Sequence, residues 1–140
     1  MRFWDSSAVI PLLFQEPASG KLQKMLATDR QMHVWWATEL ECISAIARRE
    51  REGLEHSYVS AALERLGHFR EDWSEVLPSV SVRETARRLL RVHPLRTGDS
   101  LQLAAASVLA REGPFVVEIV TLDDRLRLAA SREGFAVGPE

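Results

Sequence analysis

The sequence predicts an α/β fold, a single domain with a central, mostly parallel sheet of four to five short strands flanked by helices. Short apolar runs alternate with longer segments of helical periodicity, the pattern of parallel strands joined by crossover helices. The 140 residues suffice for one hydrophobic core. Because no repeat, low-complexity tract or linker interrupts the chain, residues 1–140 are expected to form one domain.

The beginning of the chain predicts one strand followed by two helices. Arg2–Asp5 is expected to be a short first strand. Ser7–Gln15 follows as a helix that stops before Pro17, and Pro11 is expected near its first turn, where proline is best tolerated. Ala18–Ala27 is predicted to be the second helix.

The middle of the chain predicts one strand and two longer helices. Met32–Trp36 is a short apolar run and is predicted to be a strand. Thr38–Glu52 carries apolar residues on one face and stops at Gly53, as an amphipathic helix would. His56–Val76 is predicted to be one long helix ended by Pro78.

The last part of the chain alternates helices and strands. Val82–Val92 and the alanine-rich Thr97–Arg111 are predicted helices, and Thr97 is expected to cap the second of them. Phe115–Thr121 is short, apolar and β-branched, and is the clearest predicted strand. Asp124–Arg132 is expected to be the last helix, followed by a short edge strand at Phe135–Val137.

Composition excludes several classes of protein. The formal net charge of −2 predicts no global attraction to nucleic acid or membranes, so phosphate contacts would need a local patch. Cys42 is the only cysteine, so no disulfide framework or cysteine-based zinc site is expected. The apolar runs are too short to span a membrane. A soluble, cytoplasmic protein is therefore expected.

Two aspartates follow predicted strands. Asp5 ends the first strand, and Asp123 follows Phe115–Thr121. Each has a purely structural alternative, since Asp5 could cap a helix and Asp123 could pair with Arg127 one turn later. Together they favour a site, because open α/β sheets bind ligands at the carboxyl ends of their strands.

Two further acids lie in predicted helices. Asp99 lies in the first turn of an apolar helix, where it could simply complement the helix dipole. Glu41 has Ser44 and Ala45 at the following turn, so no local ion pair explains it. Glu39 also lacks such a partner, and helical geometry alone does not choose between the two glutamates.

Gathering Asp5, Glu41, Asp99 and Asp123 at one edge would be unfavourable without a cation. At an effective dielectric of about 20 and a spacing of about 4 Å, one ionised pair costs about 4 kcal/mol. A divalent ion removes this repulsion, and carboxylate oxygens are ligands that hard cations prefer. The four acids therefore predict a metal site.

Four motifs in order resemble those of the PIN domain. Their residues are Phe3–Ala8, Thr38–Ala45, Leu95–Ala104 and Thr121–Leu126, the last continuing to Gly134 and Phe135. The resemblance spans almost the whole chain, and the length is similar to that of VapC-like toxins of toxin–antitoxin pairs. It implies a single PIN-like nuclease domain.

The resemblance also implies residue roles. The acidic quartet would be Asp5, Glu41, Asp99 and Asp123, with Glu41 chosen over Glu39 and Asp123 over Asp124. Ser7 and Thr121 match hydroxyl positions that support the site. Implied with them are Mg²⁺ or Mn²⁺, hydrolysis of RNA, a cognate antitoxin bound near the early helices around Phe14, and a homodimer.

Three arginines flank the motifs. Arg48, Arg96 and Arg125 are candidate phosphate contacts, although ordinary solvation of surface arginines is the alternative. Two other functions stay open at this point. The chain could be a PIN-like nuclease that processes nucleic acid without an antitoxin, or a non-catalytic RNA-binding module.

Overall fold

The computed structural model describes residues 1–140 and contains five strands and seven helices. In chain order they are β1 (Arg2–Trp4), α1 (Ser6–Leu13), α2 (Ser19–Thr28), β2 (Met32–Trp35), α3 (Thr38–Arg51), α4 (His56–Asp72), β3 (Ser74–Val76), α5 (Val80–Val92), α6 (Thr97–Glu112), β4 (Glu118–Val120), α7 (Asp124–Arg132) and β5 (Ala136–Gly138).

All five strands are parallel and form one sheet in the order β3-β2-β1-β4-β5. The first strand of the chain is central, with Arg2 paired to Met32 on one side and to Glu118 on the other. The chain builds outward through β2 and β3, then returns to add β4 and β5. The strand order therefore reverses between β1 and β4, the place where such sheets bind ligands. The predicted α/β class is confirmed.

Side chains that alternate along the strands divide the core into two layers. Phe3 and Ile119 pack against α5, α6 and α7, whereas Trp4 and Val120, next along the same strands, pack against α1 to α4. This alternation is the two-residue period of a strand whose faces are both covered. The run from Ala104 to Ala106 is buried, and its small side chains let α6 lie close to the sheet.

Three helix ends show how local sequence sets the element boundaries. Asp5 caps α1, Ser79 caps α5 by accepting from Val82 N, and Asp123 caps α7. Glycine ends two helices, since Gly53 and Gly134 follow α3 and α7 with φ of 99° and 94°, values that side chains rarely allow.

Several predicted boundaries were wrong. The helix predicted over His56–Val76 stops at Asp72, and Ser74–Val76 instead forms β3, which pairs with β2. Tertiary pairing overrides helical propensity there. Likewise, only Glu118–Val120 of the predicted strand Phe115–Thr121 is a strand, because β1 offers only three pairing residues.

The ends of two helices also differ from the expectation. The N-cap of α6 is Arg96 and not Thr97, which is the first helical residue. The first helix begins at Ser6 and ends at Leu13, so Pro11 lies inside it and not near its first turn. Cys42 is buried and free, and no helix has the length and apolar character needed to cross a bilayer.

Candidate active site at the carboxyl edge of the sheet

Asp5 is the most deeply buried of the four predicted acids. It directly follows β1, is only 4% exposed and caps α1. Its Oδ2 accepts hydrogen bonds from Ser7 Oγ at 2.5 Å, Thr121 Oγ1 at 2.9 Å and Ser7 N at 3.3 Å. Its Oδ1 accepts none from the protein. One oxygen is therefore anchored and the other is free to meet a ligand.

Burial raises the pKa of Asp5 from 3.8 to about 6, and the negative charge of Glu41 adds to this effect. The hydroxyls of Ser7 and Thr121 oppose the rise because they donate hydrogen bonds to the charged form. A carboxylate whose charged form is unfavourable in the free protein is suited to neutralisation by a cation.

The two hydroxyls also link the start of α1 to the segment after β4. Ser7 Oγ accepts from Leu122 N at 2.9 Å, and Thr121 Oγ1 accepts from Asp123 N at 3.1 Å. Thr121 is fully buried. The hydroxyl pair therefore places the backbone of Asp123 relative to the side chain of Asp5.

Glu41 is half-buried on α3 and has both carboxylate oxygens held. Oε2 accepts from Ser6 Oγ at 2.7 Å, and Oε1 accepts from Gln102 Nε2 at 3.1 Å. Burial raises its pKa, the two hydrogen bonds oppose the rise, and the charge of Asp99 adds to it. Glu39, which local sequence did not separate from Glu41, points elsewhere and forms an ion pair with Arg70 of α4 at 2.9 Å.

Asp99 and Asp123 complete the group of acids. Asp99 is half-buried in the first turn of α6, where its Oδ2 accepts from Arg96 N at 3.4 Å. Burial raises its pKa and the charge of Asp123 raises it further. Asp123 Oδ1 accepts from Leu126 N at 2.9 Å, while Asp124 is exposed. The expected alternative pair with Arg127 is not formed, since that arginine donates to Thr121 O.

The four acids thus lie in a row at the reversal of strand order. Glu41 affects the pKa of Asp5, Asp99 affects that of Glu41, and Asp123 affects that of Asp99. No three acidic, histidine or cysteine side chains are grouped tightly enough to enclose a metal ion by themselves. A donor set made only of oxygens in neighbouring pairs fits Mg²⁺ or Mn²⁺. Mg²⁺ usually keeps several waters and takes one or two carboxylates together with substrate phosphates.

Two clefts open over three acids of this row, Glu41, Asp99 and Asp123. The larger, of about 810 Å³, is lined by Glu41 and Asp123 with Arg48 and Arg96 on its walls. A smaller one of about 350 Å³ adjoins it and is lined by Asp99, Asp123, Asp124, Arg96 and Arg125. All three predicted arginines therefore face the acidic row. Cations beside the carboxylates allow a phosphate to approach an otherwise anionic surface.

Comparison with known protein families identifies the family of this chain. The family described as the PIN domain matches residues 2–131. The chain belongs to the PIN-domain family. A comparison with curated protein sequences gave no match.

Solved structures share the PIN fold at low sequence identity. FitAcB from Neisseria gonorrhoeae is 15% identical with a TM-score of 0.69, over 99% of this chain and 97% of that one. VapC20 of Mycobacterium tuberculosis, titled a sarcin–ricin loop cleaving toxin, is 18% identical with a TM-score of 0.68, over 97% of both chains. A toxin–antitoxin complex from Klebsiella pneumoniae is 15% identical with a TM-score of 0.64, over 88% of this chain and 87% of that one.

Reasoning from the sequence missed two residues of this PIN domain that contact the acidic row. Ser6 and Gln102 each hold one oxygen of Glu41. Gln102 left a usable signal, because it is the one polar side chain in an apolar run and follows Asp99 by three residues. That spacing puts both on neighbouring positions of one helix face. Ser6 left none, since it lies in the same serine pair as Ser7.

Proposed function

We propose that this PIN domain is a metal-dependent endoribonuclease and the toxin of a toxin–antitoxin pair, acting in the cytoplasm. The observation that carries the proposal is the row of four carboxylates, three of them with raised pKa, flanked by three arginines at the reversal of strand order. A structural role alone would favour neutral residues at such buried positions, because burying mutually repelling charges is unfavourable.

Asp5 and Asp99 would hold a Mg²⁺ or Mn²⁺ ion most directly, with Glu41 and Asp123 acting through water or a second ion. Bound there, the ion would lower the pKa of a water molecule and neutralise charge on the phosphate. Support for Asp5 comes from its free Oδ1, and support for Asp99 comes from its charge coupling to Asp123.

The chain's own groups would perform the remaining tasks. A carboxylate would accept the proton of the attacking water, a role suited to groups whose pKa is raised toward neutrality. Arg48, Arg96 and Arg125 would contact phosphates. Because side chains cannot read the deep major groove of A-form RNA, the substrate would be single-stranded or a loop.

A second surface supports an antitoxin partner. A groove of about 710 Å³ runs beside the end of α1, lined by Leu13, Phe14, Leu54 and Tyr58, with Arg49 and Arg65 among its polar lining residues. Apolar grooves of this kind accept amphipathic helices. The similar structure from Klebsiella pneumoniae is described as a toxin–antitoxin complex. A homodimer is proposed with it, since the large apolar side chains of Trp36 and Leu40 are both exposed.

The test is cleavage of a panel of structured RNAs by purified, antitoxin-free protein. Cutting should require Mn²⁺ or Mg²⁺, stop with EDTA and disappear in Asp5→Asn. Glu39→Gln is the matched control, because it removes a carboxylate of the same helix as Glu41 that lines neither cleft and pairs with Arg70, so it should leave cutting intact. A folded protein that binds RNA but cuts none of the panel under either metal would instead support the non-catalytic binding module.

A further inference from the structure

Gln102 is the least expected side chain near the acidic row. It lies on α6, is 1% exposed and has leucines on both sides in sequence. Its Nε2 donates to Glu41 Oε1 and to Thr38 Oγ1, both at 3.1 Å. Its Oε1 is buried and has no hydrogen-bond partner. One end of this amide is therefore fully used and the other end is unsatisfied.

Packing does not explain an amide at this position. A buried carbonyl without a partner destabilises a fold relative to an apolar side chain of similar size. The residues beside Gln102 on α6 are leucines followed by alanines, and methionine or leucine would fill the same space without an unpaired atom of its own. Native chains retain such unfavourable groups mainly where function requires them.

The two partners of Glu41 come from opposite layers of the fold. Ser6 belongs to α1, in the layer with α3 itself, whereas Gln102 belongs to α6, in the layer across the sheet. The Gln102 bond is therefore the direct link between Glu41 and the helix that carries Asp99. Without it, Glu41 would be held only from its own layer.

We propose that Gln102 is a positioning residue, which holds Glu41 Oε1 at a fixed place relative to Asp99 and so sets the geometry of the metal-binding row. This rests on the proposed nuclease function. A carboxylate only accepts hydrogen bonds, so the amide must present its NH₂ group to Glu41. Outer partners of this kind orient ligand side chains in metal sites.

The second hydrogen bond of the Gln102 amide, to Thr38, provides a control variant. An NH₂ group carries two hydrogens, one for Glu41 and one for Thr38. Thr38→Val removes the second acceptor and leaves the bond to Glu41 in place. Gln102→Met keeps the length of the side chain and removes both donors. Gln102→Asn keeps an amide but is too short to reach, which provides a second variant if the methionine protein does not fold.

The experiment measures Mn²⁺ dissociation constants by calorimetry, and kcat and KM for RNA cleavage, on variants whose folding is checked by circular dichroism. Gln102→Met should lower Mn²⁺ affinity and kcat by about 10- to 100-fold, as loss of an outer partner typically does. KM for RNA should stay nearly constant, and Thr38→Val should match the wild type. In a Glu41→Gln background, Gln102→Met should have no further effect on Mn²⁺ affinity.

Each other outcome contradicts a specific statement. If Gln102→Met binds Mn²⁺ and cuts RNA like the wild type, Gln102 does not position Glu41, and the nuclease function stands. If the loss is equally large in the Glu41→Gln background, Gln102 acts on the fold and not through Glu41. If the wild type binds Mn²⁺ but cuts no RNA, the nuclease proposal fails while the Mn²⁺ constants still decide the role of Gln102. If it does neither, both proposals fail.

Discussion

Asp5→Asn should abolish RNA cleavage and yet make the metal-free protein more stable. In the wild type, burial raises the pKa of Asp5 from 3.8 to about 6. One pKa unit corresponds to about 1.36 kcal/mol, so keeping this group ionised at pH 7 costs about 3 kcal/mol of folding free energy. Asparagine is a neutral isostere that can still accept the bonds from Ser7 and Thr121. For a chain of this length, the gain corresponds to a rise in Tm of up to about 10 °C.

The sign of the pH dependence follows from the raised pKa. Between pH 3.8 and about 6 the folded protein binds more protons at Asp5 than the unfolded chain does. The destabilisation caused by ionised Asp5 is therefore fully present above about pH 6 and decreases as the pH falls. The stability advantage of Asp5→Asn should shrink from about 3 kcal/mol at pH 7 to less than about 1 kcal/mol at pH 4.

Urea denaturation in EDTA at several pH values measures this difference. Asp124→Asn, which neutralises an exposed acid, should change stability by less than about 0.5 kcal/mol. Adding Mn²⁺ should stabilise the wild type more than Asp5→Asn, since only a ligand bound to the folded state shifts the equilibrium. An Asp5→Asn protein that is less stable at pH 7, or whose gain is the same at pH 4, would show that burial does not disfavour the charged form of Asp5.

Three further outcomes are expected. Arg48→Ala and Arg96→Ala should each weaken RNA binding and reduce the slope of log affinity against log salt by about 1, as measured by titration at several salt concentrations. Phe14→Ala should weaken antitoxin binding by about tenfold or more in calorimetry while the free protein still cuts RNA. Glu133→Gln should lower the free energy of unfolding near neutral pH and flatten its decline toward acid pH in urea denaturation, because the hydrogen bond from Arg88 lowers the pKa of Glu133 and its stabilising contribution is lost as the pH falls.

The central part of the fold was predictable because it follows from local patterns. Parallel strands joined by helices bring their carboxyl ends to one edge, so acids placed just after β1 and β4 had to be neighbours. No knowledge of distant contacts was needed for Asp5 and Asp123. The burial of α6 was also predictable, because its run of small residues can be read from the sequence.

The edge of the sheet was not predictable in this way. Ser74–Val76 is only three residues long and carries no two-residue periodicity, and it forms a strand because β2 offers its open side at that point. Conversely, Phe115 and Val116 have side chains typical of strands but are exposed, because β4 begins only at Glu118. Short edge strands depend on their partners more than on their own sequence.

The choice between Glu39 and Glu41 depended on distant residues. Arg70, which pairs with Glu39, is 31 residues away, and Gln102, which holds Glu41, is 61 residues away. Neither contact can be predicted from neighbours one turn apart on the same helix. For the same reason the sequence did not show that Glu41 is held from both sides of the sheet.

The central place of β1 has a consequence for the timing of synthesis. The residues that pair with β1 at Glu118 are made 116 positions after Arg2, which at roughly 5 to 20 residues per second is a delay of roughly 6 to 23 s. Until that segment has left the ribosome, Asp5 has no Thr121 beside it and the row of acids is incomplete. The activity we propose would therefore arise only after most of the protein has been made.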